Sequence, residues 1–91
     1  MAIKSFADEK TAHAYATGKS KDPPAKALQR KFAILDQAVL LGDLAAVPGN
    51  NFEKYSDHRR GQYSIRVNKK YRLFFTWDDG GAHNVRLADE H

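Results

Sequence analysis

The chain has 91 residues, 42% of them hydrophobic, 11% aromatic and 29% charged, a globular composition expected to form one domain over residues 1–91. It contains no cysteine, which excludes disulfides and thiolate metal sites, and no apolar run approaches the ~18 residues that a membrane-spanning helix needs. A net charge of +4 and a pI near 9.5 point to an anionic partner, either nucleic acid or an acidic protein.

In chain order, the opening "MAIKSFADEK" lacks the apolar core of a signal peptide. Within it, "AIKSF" alternates as a short strand does. Asp8 is a helix N-cap residue, and the helix it begins should run to about Thr17, with Gly18 as its stop. "GKSKDPP" reads as a linker. Asp22 before Pro23 and Pro24 marks a second helix start, because proline is tolerated in the first turn. Ala25, Leu28, Phe32, Leu35 and Val39 recur at three- and four-residue steps, which predicts one apolar helical face running to about Leu41, ended by Gly42. "DLAAVPGNN" is expected to be a loop, with Leu44 and Val47 tucked beneath it.

The period then changes. "FEKYS" is a candidate short strand. Tyr63, Ile65 and Val67 alternate with Gln62, Ser64 and Arg66, and Tyr71, Leu73, Phe75 and Trp77 alternate with Arg72, Phe74 and Thr76. "NKK" and "DDGG" are the turns, and "AHNVRLA" is the last strand. The order is strand, two helices, then antiparallel strands. The class is therefore α+β, with two N-terminal helices packed on one face of a small antiparallel sheet and the other face open to solvent or a ligand.

Charge is concentrated on that open face. Between Arg59 and Arg72 lie six basic residues (Arg59, Arg60, Arg66, Lys69, Lys70 and Arg72) and no acid. Keeping Ile65, Val67, Tyr71 and Leu73 on one side requires a three-residue turn at 68–70, which puts Arg66 directly opposite Arg72. Like charges facing across a strand pair are destabilising, so the arrangement makes sense if an anion lies between them. Phe74 shares the face and can stack on a base there. If Val85 and Leu87 face the core, Ala88 pairs with Arg72, given a bulge at "DDGG". Asp89, Glu90 and His91 then follow within about 10 Å, at ~3.3 Å per residue. Each reading has a plain counterpart: a solvated basic strand face with Glu53, Asp89 and Glu90 as counter-ions, a singly exposed aromatic at 74, and a frayed end at His91. His58 and His83 have no ligand-like spacing, and no metal is assigned.

The stretch "GNNFEKYSDHRRGQYSIRVNKKYRLFFTWDDGGAHNVRLADEH" resembles the HigB-type toxins of the RelE/ParE superfamily of bacterial toxin–antitoxin systems. The resemblance rests on Pro48-Gly49-Asn50, on Gly61 to Asn68 ("GQYSIRVN"), on Tyr71 to Phe75 with Trp77, and on the ending Asp89-x-His91. It implies a RelE-like fold and ribosome-dependent cleavage of mRNA without metal or cofactor, by attack of a ribose 2′-OH on the adjacent phosphate. It also implies bacterial, cytoplasmic partners: the ribosome and its mRNA, and a HigA-like helix-turn-helix antitoxin through which alone operator DNA is reached. Arg72 matches the family's phosphate-binding arginine and His91 its terminal histidine. Glu53 is a further acid–base candidate, Asp89 would orient His91, and Arg59, Arg60, Arg66, Lys69, Lys70, Phe74 and Glu90 would meet RNA. The sequence departs from the family pattern in two places. Glu90 stands where tyrosine is usual, and Glu53 and Ser56 occupy loop positions that often carry histidine and lysine. These departures leave a second activity open: a toxin with weak or no RNase action that binds the ribosome or its assembly intermediates, or gyrase as ParE relatives do.

Overall fold

A computed structural model describes residues 1–89, so Glu90 and His91 lie outside the described residues. Three helices, α1 (Glu9–Thr17), α2 (Ala25–Gln37) and α3 (Leu41–Ala46), precede four strands, β1 (Glu53–Lys54), β2 (Gln62–Arg66), β3 (Tyr71–Asp78) and β4 (Gly81–Asp89). The strands form one antiparallel sheet in sequence order. The core lies between helices and sheet: Leu28, Phe32 and Leu35 of α2 and Leu44 of α3 are sealed against Ile65, Leu73, Phe75 and Val85. The α+β reading holds, with three helices rather than two.

Local chemistry explains several of these boundaries. The Asp8 carboxylate accepts from the Thr11 amide at 2.7 Å, which caps α1, and Gly18 ends it in the left-handed region at φ 72°. The second helix differs from expectation at both ends. It begins only after Pro24, and Asp22 instead turns to the strands, with Oδ2 3.6 Å from Lys70 Nζ. It stops at Gln37 rather than Leu41, because the Asp43 carboxylate captures the amides of Val39 and Leu40 at 3.0 and 2.9 Å. Those bonds turn the backbone and start α3, so Gly42 sits inside a helix and "DLAA" is helical rather than loop. Val39, expected on the apolar face of α2, falls in this corner and is 72% exposed. Lys31 has the reverse fate: it is buried on α2.

The segment "AIKSF" is not a continuous strand. Ile3 and Phe6 make separate parallel bridges to Ala82 and Val85. The interruption comes from β4, where Asn84 has φ 53° and its amide bonds to the Ser5 hydroxyl at 2.9 Å. The register of β4 shifts between Phe74 and Thr76 at this point. The bulge therefore sits at Asn84, not at "DDGG". "DDGG" is instead a tight two-residue hairpin, with Asp79 and Gly80 both at positive φ. Its downstream effect is the expected one: Ala88 pairs with Arg72 and Asp89 with Tyr71.

Candidate active site

Between β2 and β3, the Asn68 side chain closes the 68–70 turn by accepting the amides of Lys70 and Tyr71 at 2.9 and 2.8 Å. Strand parity then places Ser64 and Arg66 of β2 beside Arg72 and Phe74 of β3, on the face away from the helices, with Arg66 opposite Arg72. β1 extends this face. Glu53 pairs with Ser64, and the Tyr55 amide bonds to the Gln62 carbonyl at 3.1 Å.

The face is less open than strand alternation suggests. Arg72 is only 3% exposed. Its Nη1 donates to Ser64 Oγ at 2.8 Å and to the Asn51 carbonyl at 2.9 Å, and its Nη2 lies 3.2 Å from Glu53 Oε1. Ser64 Oγ also shares a 2.8 Å hydrogen bond with the Tyr55 hydroxyl. Burial pushes the Tyr55 phenol up, and the nearby Glu53 carboxylate adds to the shift against the pull of Ser64. The result is a buried, doubly anchored guanidinium with a half-exposed carboxylate at its outer edge. Chemically this is a fixed cation beside a carboxylate, a pairing able to offer positive charge to an anion and to accept a proton.

Two further cations lie over aromatic rings of this face. The Arg59 guanidinium lies 4.0 Å from the centre of the Tyr55 ring, and Arg59 is held by Asp57 at 3.0 Å. That hydrogen bond holds the Asp57 carboxyl down at about 2. Arg86 lies 4.9 Å from the centre of the Phe74 ring. Phe74, expected to be exposed for base stacking, is buried at 4% between Arg86 and Tyr55. The bulge and pairing that bring Arg86 opposite Phe74 cover a ring that simple alternation leaves bare.

A family model described as "RelE-like toxin of type II toxin-antitoxin system HigB" matches residues 4–91. The chain belongs to the HigB-like toxin family. It is 52% identical to Toxin HigB-1 of Vibrio cholerae serotype O1 (strain ATCC 39315 / El Tor Inaba N16961) over 65 residues, 71% of this chain and 67% of that protein. An uncharacterized protein of Haemophilus influenzae (strain ATCC 51907 / DSM 11121 / KW20 / Rd) is 35% identical over 66 residues, 72% of this chain and 64% of its own length. The fold is that of YoeB. The YoeB–YefM complex from Staphylococcus aureus superposes with a TM-score of 0.64 at 20% identity, covering 98% of this chain and 97% of the other. The YoeB dimer from the same organism gives 0.61 at 20% identity, covering 100% and 99%.

In this HigB-like toxin the predicted residues divide into three groups. Arg72 and Glu53 are in contact, Arg66 stands across the strand pair, and Asp89 ends β4 one residue past the partner of Arg72. Arg59 joins them from the loop after β1 through Tyr55. Lys70 is directed elsewhere, towards Asp22 and the Tyr71 ring, while Arg60 and Lys69 are exposed. Glu90 and His91 lie outside the described residues. Tyr55, Ser64 and the Asn51 carbonyl hold the site together and escaped the sequence reading. The parity that grouped Arg66 with Arg72 also carried the signal for Ser64, since alternate residues share a face. Among the described residues, no three His, Cys, Asp or Glu side chains come together as a metal site would need.

Proposed function

We propose that this HigB-like toxin inhibits translation as a ribosome-dependent endoribonuclease that cleaves mRNA at the Arg72 site. The observation that carries the reading is the Arg72 guanidinium, fixed by Ser64 and Asn51 and faced at its outer edge by Glu53. In the proposed reaction Glu53 takes the proton of a ribose 2′-OH and the freed oxygen attacks the adjacent phosphorus. The bond from phosphorus to the 5′-oxygen breaks, and His91, oriented by Asp89, protonates that oxygen. The products are a 2′,3′-cyclic phosphate and a 5′-hydroxyl. Arg72 and Arg66 balance charge on the phosphate, which develops most strongly in the transition state. In the free protein the Glu53 carboxylate occupies the anion position beside Arg72, and substrate phosphate displaces it.

In this reading Arg59, Arg60 and Lys69 meet RNA backbone, and the ribosome supplies the mRNA in its decoding site. The partner that neutralises the toxin is a HigA-like helix-turn-helix antitoxin. Solved complexes of the same fold carry the name YoeB–YefM toxin–antitoxin, which supports such a partner. The setting is the bacterial cytoplasm; no described helix is long and apolar enough to cross a membrane.

The commitment of Arg72 to internal partners, Ser64, Asn51 and Glu53 among them, favours a second reading, in which the arginine organises a surface that blocks the ribosome without cutting. The test is purified toxin with ribosomes programmed with a defined message. The nuclease reading expects new 5′-hydroxyl ends that vanish when the target riboses carry 2′-O-methyl groups. Translation arrest with an intact message supports the second reading instead.

A further inference from the structure

A second basic site lies around the corner from Arg72. The middle of α2, the Pro48–Asn51 bend and the turn after β2 border an open cleft of about 440 Å³. Among the described residues, four cationic side chains line it, Arg30, Lys31, Arg66 and Lys69, and no acidic one does. Lys31 is the unusual member. It is 93% buried on a helix that otherwise turns apolar residues inward, and its ammonium is held by Asn50 Oδ1 at 2.8 Å and the Gly49 carbonyl at 3.3 Å. Asn50 is itself fully buried and anchored to the Leu44 carbonyl at 2.9 Å. Burial lowers the Lys31 amine, and Arg30 and Arg66 lower it further by their charge. These bonds tie the 48–51 bend to α2, but desolvation and the like charge of two arginines both oppose a lysine there. An anion in the cleft reverses the repulsion.

We propose that this cleft is a phosphate subsite that holds a backbone phosphate of the substrate RNA next to the one bound at Arg72. The assignment rests on the nuclease reading above, and continuity between the two sites supports it. Arg66 lines the cleft and is the strand partner of Arg72, while its amide bonds to the Asn50 carbonyl at 2.7 Å. Asn51 lines the cleft, and its carbonyl holds Arg72. Arg66 and Asn51 thus link the two sites, and in the proposal a strand held at Arg72 continues into the cleft. Lys31 lies deepest among the four cations, braced from behind by Asn50, and Arg30 and Lys69, both exposed, form the rim. A non-scissile phosphate held here fixes the register of the strand, so that one particular 2′-OH faces the reacting phosphorus.

The test uses the full-length toxin and a short single-stranded RNA whose riboses are all 2′-O-methylated, so that it binds but is not cut. Affinity is followed by fluorescence anisotropy over a salt series. Arg30→Ala and Lys69→Ala, on the rim, should each weaken binding several-fold and flatten the salt dependence by about 0.7 in slope for every phosphate no longer neutralised. Lys31→Met keeps the aliphatic stem and removes the charge; with its melting temperature checked, it should act in the same direction. Wild-type affinity and slope in all three variants overturn the subsite, as does a wild-type toxin that fails to bind the oligonucleotide. If the variants lose binding only to whole ribosomes, the cleft serves ribosomal RNA and the proposal fails. Cleavage is scored separately on programmed ribosomes. A toxin that binds the oligonucleotide through the cleft but cuts nothing refutes the nuclease reading and leaves the RNA-phosphate site standing.

Discussion

Glu53→Gln separates the two roles given to the carboxylate beside Arg72. At the 3.2 Å contact, Coulomb's law gives about 5 kcal/mol at an effective dielectric constant near 20 and about 1 kcal/mol in bulk water. The Arg72 side chain is 3% exposed and that of Glu53 46%, so water screens one partner and not the other. The net worth should lie above the ~0–1 kcal/mol of a surface pair and below the ~3–5 kcal/mol that breaking a fully buried one costs. Glutamine keeps the shape and an acceptor oxygen, which leaves a charge effect of about 1–2 kcal/mol. The melting temperature should therefore fall, at ~4–8 °C per kcal/mol for a domain of this size. RNA affinity should move the other way, because a carboxylate no longer competes with phosphate. The gain expected for a non-cleavable oligonucleotide is about 5–30-fold, the ratio equivalent of the same energy. Cleavage should drop by about 10²–10⁴, the usual contribution of a general base, since an amide does not accept the 2′-OH proton. Calorimetry, anisotropy and cleavage on programmed ribosomes read the three effects. A variant that melts lower but binds RNA no more tightly refutes the idea that Glu53 stands where phosphate binds.

Ser64→Ala removes the oxygen shared by Arg72 and Tyr55 and leaves two buried polar groups short of a partner, so urea unfolding should register a loss of about 2–4 kcal/mol. Tyr15 donates to Asp36, and its phenol is pushed up to about 12 from the ordinary 10, first by that bond and then by burial and the charge of Asp36. A pKa raised by folding adds stability that is fully present below pH 10 and lost as pH climbs towards 12. Tyr15→Phe should therefore be less stable than wild type at neutral pH and lose less stability between pH 10 and 12, as denaturant midpoints across that window will report. Replacing Glu90 with tyrosine removes a negative charge and supplies a ring able to stack on a base, so cleavage per ribosome should rise; an unchanged rate means that this position does not limit catalysis.

The sheet was legible because its signals are local and repeated. The alternation of Tyr63, Ile65 and Val67 against Tyr71, Leu73 and Phe75, with a turn of three residues, leaves one register that buries both sets, and that register puts Arg66 opposite Arg72. Asp8 and Gly18 set the limits of α1 through backbone chemistry that each residue carries with it. The misreadings all came from contacts made at a distance or around a corner. Asp43 reaches back to two amides and splits one expected helix into α2 and α3. Asn84 carries the bulge, held by Ser5 from the far end of the sequence. Phe74 is covered by Arg86 and Tyr55, which only the assembled sheet brings over it. At the site, the charged residues were visible as a run of bases. The neutral groups that aim them, Ser64, Tyr55 and the Asn51 carbonyl, carry no charge pattern to announce them.

The central claim is that Arg72 holds the phosphate that is cut. Its most direct test is the mapping of transcript 5′ ends in cells after induction of the wild-type toxin or of Arg72→Ala, with thermal melting of each purified protein to confirm folding. The account predicts new 5′-hydroxyl ends within translated regions for the wild type, and their disappearance together with growth inhibition for the folded variant. The same ends at the same abundance from folded Arg72→Ala would contradict it.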